Sequence, residues 1–348
     1  MNNKTNKKSR NKKLLEKYKV QAVVGAIIAV LVIAIGIYVL VSNSSDSYSK
    51  LADEAIFTSG DYSMRYDEAY FLTKNKQAYY EAYYLSSDVD LDWNAEYEDG
   101  KTFGQVVLNE SLDFAKEIFI FSEYAKANGI TISEAELKSI ESEVATFFKE
   151  SGTKIVNATK ANSDVLKRVY IRTAYHDKLC DKIYSEASLE VDEDEMRQCL
   201  IAAVELGPKY FDSPKETAEA IMNRVNSGEV ITEVAQKYDT KAMKGNVGKG
   251  TMDGNALEKL CLSLKNGECN ITEIEGTYFV VYCYLAYDEE ATEYAVEQKL
   301  EELKAEAVAK YYEELLKDMP VTVNEEAWST INFGESIFTE ADLEGNKS

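Results

Sequence analysis

The chain has 348 residues, which is room for about two globular domains, and 45% of them are hydrophobic, enough for packed cores. Only three residues are proline, which argues against a disordered or linker-rich protein. The net charge is −22, and removing the +7 of residues 1–19 leaves −29 for residues 43–348. Because so acidic a surface repels nucleic acid, we expect no nucleic-acid partner.

A long apolar segment follows the basic N-terminus. Residues 20–41 carry no charged side chain. A helix of that length, at about 1.5 Å per residue, crosses a bilayer core of about 30 Å. We predict a basic cytoplasmic segment at residues 1–19 and a single membrane helix at residues 20–42, with the rest of the chain outside the cell membrane. A cleaved signal peptide is the alternative, but its apolar core would be shorter.

A polar tether is predicted at residues 43–55, followed by a domain at residues 56–190 that is all helical after a short extended entry. The first helix carries tyrosines at near-helical spacing: Tyr66, Tyr70, Tyr80 and Tyr84. Such a stripe favours a core position, and a groove for unfolded chains is the alternative. Residues 86–105 are predicted to be a polar insert. Further along, Ser133 and Glu136 have the spacing of a helix capping box.

The pattern changes near residue 190. Residues 191–288 predict a compact β-α-α-α-β-β unit that ends in a hairpin at Glu275 and Gly276. One of its helices is expected to begin with Ser213 as cap, Pro214 at the first helical position and Glu216 closing a capping box.

A long helix at residues 289–318 has one apolar face, which must be buried. We expect it to pack back on the first helices, so that the β-containing domain is inserted into a discontinuous helical domain. An acidic tail at residues 319–348 is predicted to add a short strand at residues 321–323. The fold class is therefore α+β, with a small antiparallel sheet.

The stretch KGNVGKGTMDG, residues 244–254, contains four glycines and two lysines. A phosphate loop needs two glycines five residues apart, then Lys and Ser or Thr opening a long helix. Here Lys249 is followed by Gly250, and the dinucleotide-loop spacing also fails. The sequence therefore predicts a backbone turn and no nucleotide partner.

The order of elements resembles a parvulin-type peptidyl-prolyl isomerase domain. The matching segments are AEAIMNRVNSGEVITEVAQKYD, GNVGKGTM, LEKLCLSLKNGEC and EGTYFVVY. With EYAKANGITISEAELKSI and LEVDEDEM, residues 55–318 resemble the PrsA/SurA-like group of extracytoplasmic foldases. The resemblance implies unfolded or proline-containing exported polypeptides as partners.

Prolyl isomerisation breaks no bond and lowers a rotational barrier of about 18–20 kcal/mol. The family uses two histidines, a Cys or Asp, and a Met/Phe pocket. The resemblance places the first-strand histidine near Val204 and the last-strand histidine at Tyr278. The Cys or Asp position falls near Thr240 and Asp239, and the apolar pocket at Met252 and Leu257. Both histidine positions thus carry other residues.

Cofactor chemistry has little support in the sequence. None of the five cysteines forms a C-x-x-C pair, so no zinc site is predicted, and an odd number leaves at least one thiol unpaired. The single histidine, His176, lies one helical turn before Cys180, and two ligands do not make a metal site. We expect no metal and no cofactor.

Three functions remain open from the sequence. The first is a membrane-anchored prolyl isomerase that assists the folding of exported proteins. The second is a chaperone that holds unfolded chains and keeps a degenerate isomerase site. The third is an exterior domain that holds one partner. The missing histidines make binding the more secure part of this prediction.

Overall fold

The computed structural model describes residues 44–87, 89, 91–98 and 100–338. The chain divides into two compact units: unit 1 holds the described residues up to 188 and from 304 onward, and unit 2 holds residues 189–303. The predicted membrane helix at residues 20–42 lies outside the described residues. Among the described residues, no helix combines the length and apolarity needed to cross a membrane.

Unit 1 is mainly helical. Its elements up to residue 188 are α1 (Ser44–Leu51), β1 (Ala55–Ser59), β2 (Tyr62–Arg65), α2 (Tyr66–Ser86), β3 (Glu96–Glu98), β4 (Lys101–Thr102), α3 (Phe103–Ala127), α4 (Glu134–Glu150), α5 (Thr153–Thr159) and α6 (Ser163–Ala187). The predicted Ser133–Glu136 capping box is present at the start of α4. Part of the predicted tether at residues 43–55 is therefore helix α1.

The short extended entry predicted before the first helix is a β-hairpin, so the prediction that residues 56–190 are otherwise all helical is wrong at its start. Strands β1 and β2 pair antiparallel, and Ser59 faces Tyr62 across a two-residue turn. Gly60 in that turn has a φ of +56°, a conformation that glycine adopts without steric cost. The hairpin lies before α2, and Ile56, Phe57 and Met64 are fully buried in the unit 1 core.

The predicted polar insert, residues 86–105, is also more structured than expected. It contains the small β3–β4 pair, and Trp93 is buried against Phe103 and Phe333. The Trp93 and Phe103 rings stack at a centroid distance of 5.4 Å. One buried tryptophan thus anchors a segment whose other side chains are mostly polar.

The C-terminal part of the chain completes unit 1. Helix α11 (Glu289–Asp318) contributes its residues from Lys304 onward, and β9 (Thr322–Val323) and α12 (Glu325–Trp328) follow. Strand β9 falls where a short strand was predicted, and it pairs antiparallel with β1. Tyr312, Leu315 and Trp328 are buried in the same cluster as Phe57 and Phe119. Much of the predicted acidic tail therefore supplies core.

Unit 2 contains one four-stranded antiparallel sheet. Its elements are α7 (Glu193–Met196), β5 (Gln198–Leu206), α8 (Pro214–Asn226), α9 (Ile231–Gln236), β6 (Ala242–Gly248), α10 (Ala256–Ser263), β7 (Cys269–Ile274) and β8 (Thr277–Leu285). The strand order is β6-β5-β8-β7. The α+β class with a small antiparallel sheet is confirmed. The predicted β-α-α-α-β-β order lacked β6, which runs through the first half of the glycine stretch.

Candidate functional site

The sheet of unit 2 has two covered faces, and strand alternation assigns each side chain to one of them. Ala202, Val204 and Leu206 of β5 pack with Ile221, Val225 and Val234 of α8 and α9, which define the α8/α9 face. Cys199 and Ile201 of β5 pack with Leu257 and Cys261 of α10, which define the α10 face. A ligand that contacts the side chains of the sheet therefore contacts one of these two faces.

The structure divides the predicted site residues between the two faces. Val204 is fully buried on the α8/α9 face, and Tyr278 is half-buried against the same cluster. Met252 and Leu257 pack on the α10 face. The resemblance assigned Tyr278 and Met252 to one site, but their side chains lie on opposite faces of the sheet. Neighbouring residues of a strand point to opposite faces, so an alignment that is wrong by one residue on β8 is enough to cause this difference.

Asp239 and Thr240 lie in the connection between α9 and β6. Asp239 is exposed and has a φ of +54°, and the Thr240 amide donates to the Ala235 carbonyl at 3.1 Å. These two residues end the short helix and direct the chain into the edge strand. Their roles as site residues stay a prediction.

The α10 face has an open apolar region. Ala203, Met252, Ile274 and Phe279 are half-buried against the cluster that contains Leu257. Ala203 pairs with Met243 on the edge strand β6, and Met243 is 77% exposed. Chemically, this region is suited to binding an apolar segment by contact.

Cysteine chemistry on this face is suppressed by burial. All five cysteines are free and buried, and three of them, Cys199, Cys261 and Cys283, belong to the α10-face cluster. Burial raises the pKa of Cys199 to about 11 and that of Cys261 to about 12. Because the thiolate is the nucleophile, these protonated thiols are poor nucleophiles at neutral pH.

The glycine stretch is held by an internal carboxylate. Glu258 of α10 is buried and accepts main-chain hydrogen bonds from Gly250 at 3.0 Å, Met252 at 2.7 Å and Gly254 at 3.2 Å. The bonds from Gly250 and Met252 are the main cause that lowers the pKa of Glu258. The amides that could bind a phosphate are thus used to fix the turn after β6, as a turn was predicted there.

His176 is placed in unit 1, on α6. Its Nε2 lies 2.9 Å from Glu117 Oε1 and its Nδ1 lies 2.9 Å from Asp177 Oδ1. Burial acts to lower the pKa of His176, but hydrogen bonds with Asp177, Cys180 and Glu117 outweigh it and raise the pKa to about 11. The ring also stacks on Phe121. A histidine charged at every physiological pH is a poor general base.

The predicted tyrosine stripe on α2 belongs to the core. Tyr66 is 1% exposed, and Tyr84 is also buried. Burial is the main cause that raises the pKa of all four members, Tyr66, Tyr70, Tyr80 and Tyr84. A cluster of three or more metal-ligating side chains is absent from the described residues.

Sequence reasoning missed Met243 and the edge strand that carries it. The strand AMKGNVG has apolar side chains at Ala242, Met243 and Val247, a spacing that is neither continuous nor alternating. What identifies β6 is its pairing with β5, in which Ala203 faces Met243, and that register is seen only in three dimensions.

Comparison with known proteins gives matches only among solved structures. No protein-family model and no curated protein matches the chain. PrsA from Bacillus subtilis is 15% identical, with 70% of this chain and 98% of that chain covered and a TM-score of 0.23. The peptidylprolyl isomerase PrsA from Bacillus cereus is 15% identical, covering 68% and 95%, with a TM-score of 0.33.

A third match is one of two related SurA-like chaperones from Campylobacter jejuni. It is 14% identical, covering 63% of this chain and 88% of that chain, with a TM-score of 0.26. The proteins found belong to the group that the sequence motifs resemble. At these identities and TM-scores the matches describe similarity and carry no functional assignment.

Proposed function

We propose that this protein assists the folding of exported polypeptides by binding extended, apolar segments at β6 and the α10 face. The observation that carries the proposal is an edge strand with a 77%-exposed methionine, paired with a strand whose same face is apolar and half-open. An edge strand has main-chain donors and acceptors that point away from its sheet, and an extended client supplies their partners.

The charge around β6 supports a client rather than self-association. Lys244 lies within the strand, and Lys241 and Lys249 flank it. Lysines on an edge oppose pairing between two copies of the same strand, because like charges are brought together. A flexible client without that charge pattern meets no such opposition.

Prolyl isomerisation is the finer part of the proposal. Met252 and Leu257 lie on the same face as Phe279, which gives an apolar surface of the kind that a proline ring needs. We also propose that residues 20–42 hold the protein in the cell membrane, with the acidic units outside. The apolar length of that segment supports this placement.

The binding proposal is tested by suppression of client aggregation. We expect the full-length chain in detergent micelles to suppress aggregation of a reduced, denatured protein. Met243→Asp should raise the concentration needed for half suppression at least threefold, because it puts charge on the apolar region. Val230→Asp is the matched control, since Val230 is also exposed but lies at the start of α9. Equal activity of the two variants would contradict the proposal.

Isomerisation is tested separately by NMR exchange in X-Pro peptides, whose uncatalysed exchange takes tens to hundreds of seconds. If the α10 face holds the proline, Met252→Ala slows the catalysed exchange and Tyr278→Phe leaves it unchanged. The reverse result would place the site on the α8/α9 face. No acceleration by the wild-type chain would leave binding without catalysis.

A further inference from the structure

A polar stripe on α2 contacts the C-terminal segment of the chain. Lys74, Gln77 and Glu81 follow one another at helical spacing, and each bonds to the segment 332–338. Lys74 Nζ donates to the Asn332 carbonyl at 2.7 Å, and Gln77 Nε2 donates to the Glu335 carbonyl at 2.9 Å. Both contacts are to the main chain, so they do not depend on which residues the segment contains.

Glu81 completes this stripe with a buried carboxylate. The residue is 5% exposed, and its Oε1 accepts from Gln77 Nε2 at 2.7 Å and from Trp93 Nε1 at 3.1 Å. Its Oε2 accepts from the amides of Ile337 at 2.6 Å and Phe338 at 3.2 Å. Two consecutive amides of an extended segment thus bind one carboxylate oxygen.

The two oxygens of Glu81 have different kinds of partner. Oε1 bonds to side chains of α2 and the adjoining insert, whereas the only partners of Oε2 within the described part of the chain are the two tail amides. A buried carboxylate without donors is costly. The site therefore requires consecutive main-chain amides, which every polypeptide without proline at those positions carries.

An aromatic anchor lies at the other end of the segment. Phe333 is buried, and its ring centroid lies 4.7 Å from that of Trp93. After Phe333, residues 334–336 are exposed, and Ile337 and Phe338 are half-buried. Residues 335–338 are thus held mainly through their main chain.

We infer that Lys74, Gln77, Glu81 and Trp93 form a second polypeptide-binding site, here called the α2 groove, which recognises the main chain of an extended segment and is occupied by residues 332–338 of this chain. A client segment enters by replacing the tail, and the tail competes with it. This goes beyond the proposed function, because the groove is in unit 1 and does not use Met243.

The competition can be measured with the full-length chain. The probe is a fluorescent heptapeptide of residues 332–338, blocked at both ends. In the variant carrying Ile337→Pro and Phe338→Pro, both amide donors to Glu81 are lost, which weakens the binding of the tail to the groove. We expect this variant to bind the probe at least tenfold more tightly than wild type, whose tethered tail competes at high effective concentration. Ile337→Ala with Phe338→Ala is the matched control, because it keeps both donors and should stay within threefold of wild type.

Two further measurements separate main-chain recognition from a structural role of the tail. A probe N-methylated at the residues matching Ile337 and Phe338 should lose at least tenfold in affinity for the proline variant. A probe that keeps the phenylalanine matching Phe333 and has its other residues in scrambled order should keep its affinity. The inference is overturned if the folded proline variant binds the probe no better than wild type, or if N-methylation leaves binding unchanged.

Discussion

Buried charge in unit 1 is organised around single residues that join several elements. Arg172 of α6 donates to Glu68 of α2 at 2.9 Å, to Glu123 of α3 at 2.5 Å, and to the Ser63 carbonyl of β2 at 2.8 Å. Because a buried charge without partners is strongly destabilising, each of these contacts fixes an element in place. His176, one turn later on the same helix, works in the same way.

The pH dependence of unit 1 stability should reflect His176. Its folded pKa is raised to about 11, against about 6.5 in the unfolded chain. The stabilisation is therefore fully present below about pH 6.5 and is lost as the pH rises through about 11. We expect Tm to fall by several degrees between pH 7 and pH 9, measured by circular dichroism. A His176→Asn variant should be less stable at pH 7 and show a flatter profile; an unchanged slope would exclude this role.

At the scale of elements, helices were predictable because their signals are local. The Ser133–Glu136 capping box and the Pro214 helix start are both observed. Ser213 occupies the cap position, but its side chain makes no capping bond, so spacing alone did not establish that contact. The strands were less predictable, because β6 is stabilised by its pairing with β5 rather than by its own composition.

The turn that follows β6 gives a second prediction. Glu258→Gln replaces an acceptor-only carboxylate with an amide that has one oxygen, so three amides at Gly250, Met252 and Gly254 compete for it. We expect a Tm lowered by a few degrees near pH 7. Since the folded pKa of Glu258 is lowered, its contribution is present above the unfolded value of about 4.3 and is lost as the pH falls through the folded pKa.

The control for this variant is Glu268→Gln. Within the described part of the chain, the Glu268 carboxylate accepts one hydrogen bond, from the Lys265 amide. Glu258→Gln should converge with wild type in Tm at low pH, where the wild-type carboxylate is also neutral. If the Tm of Glu258→Gln instead stays below that of wild type by the same amount down to pH 2, the charge of Glu258 does not stabilise the turn.

At the scale of the whole molecule, unit 1 is assembled from two distant parts of the sequence. Local patterns indicated a helix at residues 289–318 and a strand near residue 322. They did not indicate that this strand pairs with β1, where Phe57 faces Val323. No periodicity encodes that register. The candidate site had the same difficulty: the resemblance identified the strands, and only their register assigns Tyr278 and Met252 to opposite faces.

Trp328 tests this assembly. It is buried beside Phe57 at a ring distance of 6.1 Å, and Trp328→Ala should destabilise unit 1 by about 3–5 kcal/mol. Buried thiols report each unit separately: Cys180 lies in unit 1, and the other four cysteines lie in unit 2. Pulsed thiol labelling in rising urea should expose Cys180 earlier in the variant. A matching shift at Cys199 would show that the units unfold together.

The split of unit 1 across the sequence has a consequence for biosynthesis. The strands of unit 2 all lie within residues 198–285, so its sheet is complete once that stretch has been synthesised. Unit 1 begins earlier but lacks Tyr312, Trp328 and β9 until residues 312–328 have been synthesised. The second unit in the chain is thus the first that can finish folding. Until residues 312–328 have been synthesised, the β1–β2 hairpin lacks the partners that complete its core, and its apolar side chains Ile56, Phe57 and Met64 stay accessible to other chains.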